Sequence, residues 1–157
     1  MNSSIRNRLA SMLAISTALI GYGLATAPSA SAANYGCAGS SIDSFAVKSQ
    51  QGTTFGHIYL YFDSSTKKNC AVTVKNDAGS YGTVTYTSIQ IWKCSAGTRA
   101  GSDCSNIDSD VKDAGDYKYQ AGPKSLAAGG HCIEVDATIN NKNGYTAQYF
   151  SKAIHCG

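Results

Sequence analysis

The chain has no Cys-x-x-Cys and no His-x-x-x-His pair, the close spacings from which local zinc sites are built. It has no Gly-x-Ser-x-Gly elbow, and His57, His131 and His155 are its only histidines. A hydrolase triad therefore has little to be assembled from. Glu134 is the sole glutamate, so paired-glutamate acid/base chemistry is excluded. Past the first thirty or so residues no segment carries a sustained helical stripe, which excludes a helical bundle. Nothing in the sequence calls for a cofactor or a metal.

Positive charge is also scarce once the N-terminus is set aside. Arg6 and Arg8 form a charged leader region, Leu9 to Leu24 a short apolar stretch, and Ala30-Ser31-Ala32 a small-residue cleavage site. This is the layout of a secretory signal peptide, and it predicts cleavage after Ala32. Ser16, Thr17, Gly21 and Gly23 interrupt the apolar stretch, which falls short of the ~20 apolar residues of a membrane span. Residues 33–157 then form one secreted domain of 125 residues, a single-domain length. Removing Arg6 and Arg8 from the 13 Lys and Arg leaves 11 against 10 Asp and Glu. A net charge of +1 gives no basic patch for nucleic acid or an anionic membrane.

What the chain does have is cysteine. Cys37, Cys70, Cys94, Cys104, Cys132 and Cys156 all follow the leader. An even number behind a signal peptide predicts disulfides that compensate for a small core. Cys94 and Cys104 enclose nine residues, with Gly97 and Gly101 to turn the loop back, so these two are expected to pair. The other four leave three pairings open. Closing the longest loop restricts the unfolded chain most, which favours Cys37–Cys156 and Cys70–Cys132.

Alternation with period two runs through nearly all of the rest. Ile58, Leu60 and Phe62 alternate with His57, Tyr59 and Tyr61; Cys70, Val72 and Val74 share a face; Ile89 and Ile91 alternate with Gln90 and Trp92. Ile133, Val135, Ala137 and Ile139 alternate with Glu134, Asp136 and Thr138, and Phe150 and Ile154 with Tyr149, Ser151 and Ala153. Such runs, rich in Val, Ile, Thr and Tyr, suit half-buried strands. Asp63 to Asn69, Asp77 to Ser80, Gly122-Pro123 and Gly129-Gly130 read as breaks. Asn143-Gly144 is a strong hairpin signal. It joins Cys132–Asn140 to Tyr145–Ile154. The expectation is an all-β, disulfide-bonded sandwich or barrel-like domain of about seven strands.

Three groups of residues are candidates for chemistry. Tyr59 with Tyr61, and Tyr145 with Tyr149, form rows on β-faces. Such rows can stack sugar rings, or simply pack across strands. The Cys94–Cys104 loop presents Thr98, Arg99 and Ala100 at its tip. Arg99 is the only arginine left after export, and a tied loop with one basic residue suits a trypsin-like cleft. The flanking Gly97 and Gly101 weaken the preorganisation that an inhibitor needs. Glu134 and Asp136 share a face that His131 does not, and two carboxylates so placed are ordinarily just solvated.

Several segments together resemble the spore-associated protein A family of filamentous actinobacteria. They are Ala33-Asn-Tyr-Gly-Cys37, Ile58-Tyr-Leu-Tyr61 leading into Ser64-Ser-Thr-Lys-Lys-Asn-Cys-Ala-Val-Thr-Val74, Tyr119-Gln-Ala-Gly-Pro123, Ala128-Gly-Gly-His-Cys132 and His155-Cys-Gly157. The resemblance covers nearly all of the chain after the leader and carries over to Cys37, Cys70, Cys132 and Cys156. The Cys94–Cys104 stretch looks like an addition, and Ile133-Glu-Val-Asp136 stands where the pattern has an aromatic residue and glycine. The resemblance implies a small exported protein on the spore or cell surface and supplies no catalytic site. The expected function is therefore a non-catalytic exported protein associated with the spore or cell surface, with cell-wall glycan as a ligand. The alternative is a secreted effector: a protease inhibitor acting through Arg99, or a small antimicrobial protein.

Overall fold

The computed structural model describes residues 34–157. The expected leader, residues 1–32, lies outside the described residues, as does Ala33. Eight strands form one antiparallel sheet: β1 (Ser40–Ser49), β2 (Thr54–Asp63), β3 (Lys68–Lys75), β4 (Thr85–Cys94), β5 (Ile107–Tyr117), β6 (Gln120–Ala127), β7 (Ile133–Asn140) and β8 (Thr146–Phe150). Their order is β5-β4-β7-β8-β1-β2-β3-β6. The sheet curls until β5 and β6, its two outside strands, come together. No ladder joins them. Instead the Asp113 carboxylate on β5 accepts the Gly122 N–H of β6 at 2.7 Å and the Tyr117 hydroxyl at 2.9 Å. The result is the expected all-β, nearly closed barrel, with eight strands rather than about seven. Among the described residues no helix is long and apolar enough to cross a membrane.

The alternation fills the barrel. Ile58 and Leu60 of β2, Ile89 and Ile91 of β4, and Ile133, Val135, Ala137 and Ile139 of β7 are all fully buried in one cluster. Each large aliphatic side chain among them contributes roughly 1.5–3 kcal/mol by leaving water. A hairpin at Asn143-Gly144 joins β7 to β8 as expected, but not through the type I′ turn, with positive φ at both central positions, that Asn-Gly favours: Gly144 is at φ +82° while Asn143 is not left-handed, and the loop closes between Asn141 and Tyr145. Gly122 and Pro123 do not break the chain. They lie within β6, where both stand opposite Val72 between the pairs Ala71–Lys124 and Thr73–Ala121. An outside strand tolerates proline because only one of its edges must donate.

Two expectations about faces and one about cysteines are corrected. Phe150 is 55% exposed while Ser151 and Ala153 are buried. The register explains this: Tyr149 lies opposite inward Ala137, so Phe150, opposite Asp136, must point out. The alternation then breaks after β8, and Ile154 rejoins through a bridge to Ile133. Glu134, expected to be solvated, is 4% exposed. The disulfides are Cys37–Cys70, Cys94–Cys104 and Cys132–Cys156, not Cys37–Cys156 and Cys70–Cys132. Loop-closure entropy concerns the unfolded chain, whereas the partner is set by which cysteines the fold brings within reach. Cys37 lies over the outer face of β3, its Cα 5.7 Å from that of Cys70. The Ile133–Ile154 bridge returns the C-terminal segment beside Cys132.

Candidate functional site

The tyrosine rows are mostly covered. Tyr59 and Tyr61 do share the outer face of β2, but the segment before β1 is tied across them by Cys37–Cys70. Tyr61 is 3% exposed, and half-buried Tyr59 stacks on Tyr35 with ring centroids 4.8 Å apart. Burial pushes both hydroxyls above the usual tyrosine range, and a hydrogen bond with Tyr35 adds to the rise at Tyr59. In the second row Tyr149 stacks on Phe45 at 4.9 Å, and burial, then the Asp43 charge, raises its hydroxyl. Only Tyr145 stands open, at 57% exposure.

The Cys94–Cys104 loop is tied into the body of the protein. Gly101 N–H donates to the Ala153 carbonyl and Ala153 N–H to the Ser102 carbonyl, both at 2.8 Å. Lys152 pairs with Asp103 at 2.6 Å. The Glu134 carboxylate accepts the Cys104 N–H at 2.7 Å, which accounts for its burial. Arg99 is exposed, but its carbonyl accepts the Ser102 N–H at 3.2 Å and the Ser102 hydroxyl at 2.7 Å. That is a turn rather than an extended strand. Cys94, Cys104 and Glu134 bring ligand-type atoms together, but the two sulfurs are bonded to each other, so no thiolate is offered to a metal. His131 turns its Nδ1 to the Cys94 carbonyl at 3.1 Å and to Asp108 at 3.7 Å. Asp136, opposite Gln90 in the ladder, has its carboxyl raised by burial against the opposing pull of Lys112. The acidic pair and the histidine thus serve separate local contacts.

A cleft that no single stretch of sequence announces lies at one end of the barrel. It has a volume of about 930 Å³ and opens where β2 stops, β3 starts and β6 ends. A register shift in β1 between Ser41 and Asp43 sets Ile42 out of the ladder and onto the rim. Phe62 and Ala127 add apolar wall. The β2–β3 turn is held by Asp63, whose carboxylate accepts the Ser65 N–H and the Ser65 and Thr66 hydroxyls. Those bonds, led by the Ser65 hydroxyl, hold Asp63 down at about 2. The turn delivers Lys67, at φ +56°, to the cleft. Asn69 borders the cleft at 3% exposure, and its side-chain amide has no hydrogen-bond partner among the described residues. His155 arrives with the C-terminal segment, its Nε2 3.4 Å from an Asp43 oxygen. The turns at Asp63–Asn69 and Gly129-Gly130 were visible in the sequence. The rest depends on a bulge and on where the C-terminal segment lands.

These features define a class: a small all-β domain, cross-linked by three disulfides, with a ligand-sized cleft at a barrel end. No protein-family model matches the chain, and no solved structure matches it. The chain is 34% identical over 144 residues to spore-associated protein A of Streptomyces coelicolor, an overlap covering 88% of this chain and 81% of that protein. The chain belongs to the spore-associated protein A family, as the motifs around Cys37, Cys70, Cys132 and Cys156 implied.

Proposed function

We propose that this protein is exported and held on the spore or cell surface as a non-catalytic component that binds cell-wall glycan. The observation that carries this reading is the match to a spore-associated protein along most of both chains. Three disulfides with no free cysteine among the described residues support an oxidising compartment outside the cell. The engagement of Glu134 by Cys104, of His131 by Cys94 and of His155 by Asp43 supports a structural rather than catalytic use of those groups. The effector reading through Arg99 has less support. A protease-inhibitor loop presents its scissile carbonyl free and preorganised, whereas the Arg99 carbonyl already accepts two bonds from Ser102.

The test is co-sedimentation of oxidised, purified protein with spores, isolated peptidoglycan and chitin. Saturable pelleting with spores or peptidoglycan is expected. Protein left in the supernatant in all three, together with inhibition of a trypsin-like protease lost in Arg99→Ala, would overturn the reading in favour of the effector.

A further inference from the structure

We infer that the cleft at the β2–β3 end of the barrel binds an N-acylated amino sugar carrying a carboxylate. The choice of a sugar rests on the envelope reading above; the site itself rests on the geometry. The cleft's volume of about 930 Å³ falls in the range of small-molecule sites.

The first argument is Asn69. Asn69 makes no side-chain hydrogen bond among the described residues and borders the cleft, where its amide still meets solvent and can exchange water for a ligand. An asparagine amide both donates and accepts in one plane. A secondary amide meets both needs, N–H to the Asn69 oxygen and C=O to its nitrogen. The acyl group of an amino sugar supplies such an amide.

The second argument is charge. Among the described residues, Lys67 reaches the cleft from an exposed turn, makes no ion pair, and no acidic side chain lines the space. The open cation favours an anionic group on the ligand. The third is the apolar wall. Ile42, Phe62 and Ala127 offer surface to an acyl methyl and to the C–H face of a sugar ring. One ligand class unites an acyl amide, a ring face and a carboxylate: the N-acylated, acid-bearing amino sugar of bacterial wall glycan.

The experiment is an NMR titration of the oxidised, isotope-labelled protein with N-acetylmuramic acid. N-acetylglucosamine, which lacks the carboxylate, and muramic acid, which lacks the acyl group, serve as comparators. Saturable shifts at Lys67, Asn69 and Ala127 are expected, with each comparator about tenfold weaker, as loss of one charge-assisted or amide hydrogen-bond set predicts. Lys67→Gln should abolish the preference over N-acetylglucosamine. Asn69→Ala should abolish the preference over muramic acid; should that variant not fold, Ala127→Phe, which fills the cleft from an exposed position, should remove binding altogether. No shift, shifts away from the cleft, or equal affinity for all three sugars would overturn the assignment. Peptidoglycan sedimentation without any cleft titration would sink the cleft and leave the envelope reading standing. Titration without sedimentation would do the reverse.

Discussion

The two ends of strand β3 are finished in opposite ways. At one end Lys75, 3% exposed, donates from Nζ to the Thr83 carbonyl at 2.7 Å, the Thr85 hydroxyl at 2.6 Å and the Tyr117 carbonyl at 3.1 Å. Every proton of the ammonium has an acceptor, and the barrel is sealed there without a carboxylate. At the other end Asn69 is equally buried, makes no side-chain hydrogen bond among the described residues and borders an open cleft. One strand thus carries a plug, a buried ammonium bonded wholly within the protein, and a largely buried amide that meets only the cleft; among the described residues the buried side-chain atom left without a partner is Thr73 Oγ1, between the two. A buried group bonded within the protein stabilises the fold; one that meets only water, placed beside a cavity, is available to a ligand.

The largest effect that separates the two ends is expected from truncation. Lys75→Ala removes three charge-assisted bonds and leaves both a void and three orphaned acceptors. It should cost about 3–4 kcal/mol in urea unfolding under non-reducing conditions. Asn69→Ala removes no bond made within the fold, and its cost should be about 1 kcal/mol or less. Similar costs for the two variants would erase the contrast.

A subtler effect comes from pH. Burial lowers the Lys75 pKa from 10.5, so between the folded value and 10.5 the unfolded chain holds more protons and stability rises with pH. The stability advantage of wild type over Lys75→Met should therefore widen as pH climbs through that window, and a constant difference would contradict the plug. The comparison variant is needed because burial raises the Tyr59, Tyr61 and Tyr149 pKa values above 10.0, which lowers stability at higher pH in both proteins.

The smallest effect lies at the cleft end. Asp63 is held down at about 2 by the Ser65 and Thr66 bonds, against an ordinary 3.8. Its contribution is complete above 3.8 and is lost as pH falls toward 2. Asp63→Asn should flatten that acid limb slightly, as read by thermal melting from pH 5 to 2. An unchanged limb would show that the turn presenting Lys67 does not depend on Asp63.

Periodicity made β2, β3, β4, β7 and β8 legible, though not their sidedness, and left β1, β5 and β6 unread. The apolar partners Ile89 and Ile91, and Ile133 to Ile139, point inward as their alternation suggests. On β3 the sense is inverted. The inward row is Asn69, Ala71, Thr73 and Lys75, and the apolar row of Cys70, Val72 and Val74 faces out, beneath the segment carrying Tyr35 and Cys37. A strand buried on both faces cannot be oriented from its own residues, because its cover comes from elsewhere in the chain. The same reason hid the true pairing of Cys70, and it turned Tyr59 and Tyr61 from an open row into packing. β5 escaped notice for a different reason. Its Asp108, Asp110, Asp113 and Asp116 suit an outside strand, where charge discourages further pairing, and so it reads as a loop. The cleft was the least legible feature, since Ile42, Lys67, Asn69 and His155 meet only through a bulge, a turn and the Cys132–Cys156 tie.

The most direct test of the account is co-sedimentation with purified peptidoglycan of wild type and Ala127→Phe side by side, at matched stability and in oxidising buffer. The account predicts that wild type pellets saturably and that the variant, its cleft filled, stays in solution. Equal pelleting of the two would contradict it.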